Sequence, residues 1–168
     1  MIQLDVQPIS SESFAPYGEL IDKDSAATIY PINEGHTRRF HRLAGVDTSD
    51  NGGVPVVSIF ESSPLSLPLS LKIMERHPLS TQAFVPLSQN PYLVVVAPAG
   101  DFSVTALRAF LVEGGKGISY HRGTWHHYNI ALGERSDFLV IDRQGPGVNC
   151  DEIDIVESNI QVDWGPNI

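Results

Sequence analysis

Short apolar runs recur along the chain, and glycine or proline lies between most of them. The runs are rich in β-branched and aromatic residues, and their lengths are typical of strands. They comprise residues 54–60 (VPVVSIF), 69–77 (LSLKIMERH), 81–87 (TQAFVPL), 92–98 (YLVVVAP), 105–112 (TALRAFLV), 118–121 (ISYH) and 137–143 (DFLVIDR). Several short strands with regular turn signals predict an all-β sandwich, barrel or jelly roll.

Helical patterning is scarce and is clearest near the N-terminus. Residues 10–20 (SSESFAPYGEL) predict one short helical turn, with Ser10 or Ser11 as its N-terminal cap. The chain contains no stretch with the composition of a linker, a repeat or a low-complexity tract. Its 168 residues suit one domain, so residues 1–168 are predicted to form a single unit.

The composition is that of a globular protein, with 42% hydrophobic and 18% charged residues. The formal net charge is −9, because 20 acidic residues outnumber 11 basic residues. This acidic balance argues against nucleic acid as a partner, since phosphates bind to basic surfaces. A small anionic substrate would need an arginine or histidine placed locally to offset the negative field.

The chain has one cysteine, Cys150, so no internal disulfide can form and a reducing cytoplasm is expected. Its acidic neighbours Asp151 and Glu152 disfavour a thiolate, and we expect Cys150 to be inert. The N-terminal MIQLDVQPIS lacks the basic and apolar regions of a signal peptide. The longest apolar run, residues 92–99, is too short for a bilayer-spanning helix, so no membrane association is expected.

Polar side chains with ligand chemistry end the apolar run at residues 69–77. Strand alternation places Glu75 and His77 on one face of this run, together with Leu71 and Ile73. Gln82 follows on the next predicted strand. A carboxylate and an imidazole that point into one cavity suit a divalent metal or an acid–base pair. A strand end that emerges into solvent is the alternative.

Histidines recur in GGKGISYHRGTWHH, residues 114–127. Alternation sends His126 and His127 to opposite faces, so only one of them can face a given cavity. We expect Trp125 to pack in the core, with substrate stacking as the alternative. A lone buried histidine is usually structural, but two separate strands that carry histidines indicate a shared site.

A weaker patch is HTRRFHRL, residues 36–43, in which Arg39 and His41 share a face if the segment is a strand. A solvated, charged edge strand is the alternative. The glycines of GGKG lack the spacing of a phosphate-binding loop. The chain also has no Gly-x-Ser-x-Gly nucleophile elbow, so serine hydrolase chemistry is not predicted.

The two histidine-bearing segments resemble the two motifs of the cupin superfamily. The first motif reads Gly-x5-His-x-His-x(3–4)-Glu-x6-Gly, and its ligand positions hold Glu75, His77 and Gln82. The second motif reads Gly-x5-Pro-x-Gly-x2-His-x3-Asn, and its ligand histidine is matched by His126. His121 replaces the proline of the second motif, and Ile130 replaces its final asparagine.

The chain also resembles the ureidoglycolate lyase family over nearly its whole length, through ERHPLSTQAFVPL, YLVVVAP, LRAFLVEGGKGISYHRGTWHH, DFLVIDR, PISSESFAPYGELI and RFHRLA. The resemblance implies a cupin-type double-stranded β-helix, which is a jelly-roll barrel. It implies a cytoplasmic homodimer that acts in allantoin breakdown, within purine metabolism. The implied reaction releases urea and glyoxylate from (S)-ureidoglycolate.

The resemblance also implies a divalent metal, with nickel as the named one and manganese or zinc as alternatives. The implied ligands are Glu75, His77, Gln82 and His126. A metal-free site, in which Glu75 and the histidines act as acid and base, remains open. So do two other classes of protein: another cupin metalloenzyme that acts on small acids, and a non-catalytic cupin that binds a small acid.

The implied reaction removes a hydroxyl proton, breaks a C–N bond and protonates the leaving nitrogen, without consuming water. We expect catalytic roles for Glu75 and His126, and His121 is our first candidate for moving the proton.

The substrate carboxylate calls for an arginine that can bind it through two hydrogen bonds. The candidates are Arg39, Arg76, Arg122 and Arg143, with His41 beside Arg39. Arg76 lies on the face opposite Glu75 and His77, so Arg39 is preferred.

Overall fold

The structure is a computed structural model and describes residues 1–165. Within this range the α-helix α1 is Ser11–Phe14, and 3₁₀ turns occupy Lys23–Ser25, Asn33–Gly35, Asp50–Gly52, Val104–Ala106 and Val156–Ser158. The strands in chain order are β1 Ile2–Leu4, β2 Val6–Pro8, β3 Gly18–Ile21, β4 Ile29–Ile32, β5 Thr37–Phe40, β6 Val54–Ser62, β7 Leu69–Ser70, β8 Ile73–Arg76, β9 Gln82–Pro86, β10 Tyr92–Ala97, β11 Arg108–Val112, β12 Gly117–Tyr120, β13 Trp125–His126, β14 Ile130–Ala131, β15 Ser136–Gln144, β16 Asp151–Asp154 and β17 Ile160–Val162. The predicted single domain runs to residue 168, and its residues 166–168 lie outside the described range.

Two sheets form the barrel. The first has the order β16-β8-β13-β10-β11-β2, with β14 also paired to β10, and the second has the order β3-β12-β9-β15-β6. A small sheet, β1-β17-β7, and a separate hairpin, β4-β5, flank them. The pairs β1–β17 and β2–β11 are parallel, and the other strand pairs of residues 1–165 are antiparallel. The predicted all-β jelly roll with a short N-terminal helical turn is confirmed.

Strand β10 is buried on both of its faces. Alternate residues beginning at Tyr92 enter an inner core between the two main sheets, where Tyr92 contacts Phe138 with ring centroids 5.0 Å apart. The intervening residues, beginning at Leu93, enter a second core that includes β17 of the small sheet. A strand with two apolar environments has no polar face, which explains why residues 92–97 read as a continuous apolar run.

Helix α1 closes one end of the inner core. Ser10 caps it, since the Ser10 hydroxyl accepts a hydrogen bond from the backbone N–H of Ser13 at 3.1 Å. Phe14 is fully buried, and its ring meets those of Phe110 and Tyr120 at centroid distances of 5.9 and 6.2 Å. The predicted helical turn and its cap at Ser10 are therefore present. The helices of residues 1–165 all fall short of the length and apolarity needed to cross a bilayer.

The predicted strand at residues 69–77 is two strands in the structure. β7 pairs with β17 in the small sheet, whereas β8 pairs with β13 and β16 in the first main sheet, so the chain changes sheets at Leu71 and Lys72. Leu71 consequently shares the second core with Met74, and the expectation that it shares the face of Glu75 is wrong. Within β8 the alternation holds, because Met74 is buried in that core while Glu75 lines a cavity on the other side.

Gly18, the first residue of β3, marks a point of very close packing. It lies opposite Tyr120 in the β3–β12 pair. A Cβ atom at this position would overlap the backbone carbonyl oxygen of Ser119 and approach Cε1 of Phe14 to 2.8 Å. The close approach of β3 and α1 to β12 therefore requires glycine here.

Candidate active site

Glu75, His77 and His126 converge, and we call them the ligand cluster. One potential ligand atom from each lies within 4.8 Å of the others. Glu75 is on β8, His77 directly follows that strand, and the antiparallel pairing of β13 with β8 sets His126 opposite Glu75. Nδ1 of His126 is 3.7 Å from a carboxylate oxygen of Glu75. Strand register therefore brings together residues 51 positions apart in the chain.

The tautomer of His77 is set by the segment that follows β15. Its Nδ1 lies 2.6 Å from the backbone carbonyl oxygen of Asn149, which can only accept, so Nδ1 carries the proton. Asn149 is itself fixed, because its side-chain oxygen accepts from the N–H of Leu79 and its amide donates to Ser80. In the tautomer that this bond selects, the lone pair is on Nε2, which is buried without a hydrogen-bonding partner among residues 1–165.

His126 is held flat against Tyr120. Their ring centroids are 4.2 Å apart and the planes differ by 4°. Burial lowers the pKa of His126 to about 3, and repulsion from His77 adds to that effect, so the imidazole is neutral near pH 7. Nε2 of His126 is also buried and lacks a partner within the described segment. A neutral imidazole with a free lone pair is a metal ligand or a hydrogen-bond acceptor.

Glu75 is partly withdrawn from water. Burial raises the pKa of its carboxyl group, the charge of His77 counteracts that shift, and the charge of Glu152 reinforces it. Sγ of Cys150 lies 3.8 Å from a Glu75 oxygen. Desolvation and then the Glu75 carboxylate raise the pKa of the Cys150 thiol, which disfavours the nucleophilic thiolate.

A cavity of about 210 Å³, which we call the main cavity, opens beside the ligand cluster. Its lining residues are Phe60, Ser62, Ser63, Leu65, Glu75, Gln82, Phe84, His126, Tyr128 and Asn129. Lysine and arginine are missing from this lining, as far as residues 1–165 define it. Three amide atoms are buried without partners in the same range, namely Oε1 of Gln82 and both polar atoms of Asn129.

A wider depression, the side cleft, adjoins the main cavity and measures about 430 Å³. It shares Gln82 with the main cavity and brings His77 near Arg143. The Arg143 guanidinium is anchored by backbone carbonyl groups, with 2.8 Å to Asp50 and 2.7 Å to Pro146. Arg143 is thus a fixed positive group in a cleft that borders the ligand cluster.

The structure does not bring the other predicted substrate-binding residues to the main cavity. Arg39 lies on the β4–β5 hairpin with its guanidinium 5.7 Å from the ring of Tyr30, and the ring of His41 packs against the same tyrosine at a tilt of 48°. Arg122 is paired with Asp47 at 2.8 Å and with Asp50 at 2.6 Å. The hairpin belongs to neither main sheet, which is why the face shared by Arg39 and His41 is directed elsewhere.

His121 lies outside both the main cavity and the side cleft. β12 ends at Tyr120, and the following turn directs His121 to a surface cleft beside α1, where its Nε2 is 3.1 Å from the carbonyl oxygen of Ala15. His121 and His126 therefore line different clefts, although five positions separate them in the chain.

Neighbours of His126 point away from the main cavity, as alternation predicts. Trp125 lies in the second core, where its ring contacts Phe102 and the guanidinium of Arg76. Its indole N–H donates to the carbonyl oxygen of Gly100. His127 is buried, its Nδ1 lies 2.9 Å from the Tyr128 carbonyl oxygen, and it does not line the main cavity.

Two asparagines at the site were not predicted from the sequence. Asn129 precedes Ile130, the residue that occupies the place of the final asparagine in the second cupin motif. If the final asparagine of the motif were aligned one residue earlier, it would match Asn129. Asn149 acts through its backbone carbonyl group, so its residue type gave no signal.

The donor set of the ligand cluster fits a divalent metal. Two imidazoles with free lone pairs and one carboxylate form a set that first-row metals accept. The neutral state of His126 removes the competition between proton and metal. Gln82 lines the same cavity, and its unpartnered Oε1 is a further oxygen donor.

In comparisons with known proteins, the family model and the similar sequences carry the same description. A sequence model of the family described as ureidoglycolate lyase matches residues 1–163. A ureidoglycolate lyase of Burkholderia mallei strain NCTC 10229 is 49% identical over 158 residues, which cover 94% of this chain and 92% of that protein. One of Pseudomonas fluorescens strain Pf-5 is 50% identical over 153 residues, which cover 90% of this chain and 91% of that protein. Among solved structures, RmlC from Streptococcus suis in complex with dTDP-D-xylose matches with a TM-score of 0.43 and 10% identity, covering 88% of this chain and 74% of its own.

Proposed function

Because the chain belongs to the ureidoglycolate lyase family, we propose that it binds (S)-ureidoglycolate and cleaves it to glyoxylate and urea, in the breakdown of allantoin. One observation carries the proposal: the ligand cluster borders both the main cavity and the side cleft. A substrate with a carboxylate at one end and a ureido group at the other can therefore place its central carbon at the cluster. Membership in a lyase family favours this reaction over an oxygenase, an isomerase or a non-catalytic binding module.

Glu75 is the residue that we assign to proton transfer, in place of His121. Its carboxylate accepts the proton of the substrate hydroxyl, and burial makes it a stronger base than a solvated carboxylate. The hydroxyl oxygen becomes the carbonyl oxygen of glyoxylate as the C–N bond breaks, and the electron pair of that bond moves to the ureido nitrogen. Glu75 then returns the proton to this nitrogen, and urea leaves. The step consumes no water.

We propose Glu75, His77, Gln82 and His126 as the residues that would hold a divalent metal, with nickel suggested by the family and manganese or zinc as alternatives. Such a metal, when bound, supplies charge stabilisation for the oxygen that loses its proton. The protein's own contribution is to keep His126 neutral and to hold both imidazoles in fixed orientations. The backbone carbonyl of Asn149 orients His77, and the ring of Tyr120 orients His126.

Arg143 is our candidate for the substrate carboxylate. Of the candidates Arg39, His41, Arg122 and Arg143, it is the one that shares a cleft with His77 and Gln82. Its guanidinium is already held by backbone carbonyl groups, so little side-chain entropy is lost when an anion binds. Arg122 is neutralised by two aspartates, and it offers a weaker anion site.

We further propose a homodimer in the cytoplasm, with one domain carrying the whole site. The chain's single cysteine is compatible with a reducing compartment. Val57 and Ile59 are 67% and 56% exposed on β6, a strand that pairs on one side alone within residues 1–165. Exposed apolar side chains on an open strand edge favour association with a second copy.

The experiment that tests the reaction is a separate assay of urea, glyoxylate and ammonia from purified protein and ureidoglycolate. We expect urea and glyoxylate in equal amounts. Ammonia formed in proportion to glyoxylate, without urea, would identify a hydrolase and reject the lyase reaction. The Glu75→Gln variant should lose about a hundredfold or more in kcat, whereas Glu113→Gln, at an exposed turn position, should retain full activity.

A further inference from the structure

Asn129 presents an unused amide at the wall of the main cavity. Its side chain lines the cavity, and both Oδ1 and Nδ2 are buried without a hydrogen-bonding partner in the described part of the chain. Buried amides in folded proteins are nearly always hydrogen-bonded. An amide that lacks both a donor and an acceptor partner therefore indicates a ligand that supplies both.

The backbone on both sides of Asn129 is held in place. The N–H of His127 donates to the carbonyl oxygen of Val95 at 2.9 Å, and Ile130 pairs with Leu93 in the β14–β10 ladder. Both contacts anchor the segment to the doubly buried strand β10. The amide is consequently positioned by a rigid element, which binding sites require for precise recognition.

The surroundings of Asn129 favour a neutral polar group over an anion. Phe60, Leu65 and Phe84 supply apolar walls, and the Glu75 carboxylate is the charged group of the lining that residues 1–165 provide. A substrate carboxylate placed here would face Glu75 without a cation to offset the repulsion. The positive group, Arg143, lies instead in the side cleft.

We propose that Asn129 is the specificity-determining residue for the ureido end of the substrate, an inference that rests on the proposed function. Oδ1 accepts a hydrogen bond from a ureido N–H, and Nδ2 donates one to the ureido carbonyl oxygen. The carboxylate end then extends past the ligand cluster towards Arg143. A buried amide that needs both bonds rejects small hydroxy acids that lack the ureido group, because they leave it unpaired.

Two ligands that the enzyme cannot cleave allow the contributions of the two ends of the substrate to binding to be measured separately. N-carbamoylglycine has the carboxylate and the ureido group but no hydroxyl, whereas glycolate has the carboxylate and the hydroxyl but no ureido group. Calorimetric titration of the purified full-length protein gives an affinity for each. Asn129→Leu should weaken N-carbamoylglycine about tenfold and leave the affinity for glycolate unchanged.

Asn129→Asp provides a second variant of nearly the same size, which loses the donating NH₂ group and should show the same selective loss. Gln89→Leu, which changes an exposed amide outside both the main cavity and the side cleft, is the control and should change neither affinity. Equal weakening of both ligands by the Asn129 variants would mean a structural role and would overturn the proposal. So would unchanged binding of N-carbamoylglycine, or wild-type protein that binds glycolate but not N-carbamoylglycine.

The titrations do not depend on turnover, so they separate this inference from the reaction. Wild-type protein that binds N-carbamoylglycine through Asn129 but does not cleave ureidoglycolate would reject the lyase reaction and support the ureido site. Protein that forms urea and glyoxylate while the Asn129 variants bind both ligands normally would support the reaction and reject the ureido site.

Discussion

His126 and His127 are neighbours in the chain whose side chains have different surroundings. His126 lines the main cavity with Nε2 free, whereas His127 is turned away and lies close to the carbonyl group of Tyr128. Both are buried to nearly the same extent, at 1% and 2% exposure. Burial alone therefore cannot distinguish them, and the pair offers a matched comparison of a site residue with a packing residue.

We predict that His126→Ala abolishes metal binding and lowers kcat by about a hundredfold or more, because the variant loses one of the nitrogen donors of the ligand cluster. His127→Ala should keep both its metal and its turnover, although its thermal midpoint can fall. Elemental analysis, turnover and thermal midpoint are measured for both variants and for chelator-treated wild type.

The opposite result, an inactive His127→Ala beside a nearly normal His126→Ala, would mean that the register of β13 is shifted by one residue. Full activity in wild-type protein that elemental analysis finds free of metal would reject the metal role. Glu75 and the histidines would then act as acid and base without it.

The sequence predicted the residues of the ligand cluster better than those that surround it. Glu75 and His126 lie on short strands and His77 directly follows one, so alternation and a motif fix both position and direction. Arg39 and His121 lie on a hairpin and in a turn, whose placement depends on packing between distant segments. The carbonyl of Asn149 contributes through the path of the backbone, which residue type does not encode.

Among the elements, β3 shows most directly how a single residue limits strand packing. We predict that Gly18→Ala lowers the free energy of unfolding by about 2 kcal/mol, or roughly 6 °C in Tm, because its methyl group overlaps the backbone of β12. Gly45→Ala is the control, since the nearest atom to its new Cβ is 3.7 Å away. Thermal unfolding of both variants measures the difference.

A Gly18→Ala variant as stable as Gly45→Ala would contradict the close approach of β3 and β12. Gly18→Ala should also lower turnover in part. Tyr120, which stacks on His126, lies on β12 opposite Gly18, so a displaced β12 would disturb the orientation of His126. The element therefore connects local packing to the orientation of a site histidine.

Strand positions were predictable where a run of apolar residues stays within one sheet. Residues 54–60 and 137–143 fall within β6 and β15, which pair over their full lengths. Residues 69–77 were predicted as one strand but form two, because the chain passes from the small sheet to the first main sheet at Leu71 and Lys72. A change of sheet depends on which partner strand is available, and that partner is distant in sequence.

For the whole molecule, we predict that exchanging Val57 and Ile59 together for aspartate converts a dimer to a monomer. Four carboxylates, two from each protomer, would be buried at the proposed two-fold interface without compensating cations. Sedimentation velocity measures the change, and Val156→Asp, at a residue 53% exposed in a 3₁₀ turn, is the control. A double variant that sediments as wild-type dimer would place the interface elsewhere, and a monomeric wild type would reject the dimer.

The doubly buried strand β10 also has a consequence for how the protein unfolds. Because alternate side chains of one strand belong to the inner core and to the second core, neither core can open while the other remains intact. The segment that carries His126 and Asn129 is anchored to that same strand. We therefore expect the site and the fold to be lost in one cooperative event, and we expect partial unfolding at the β4–β5 hairpin, which has a ladder of its own.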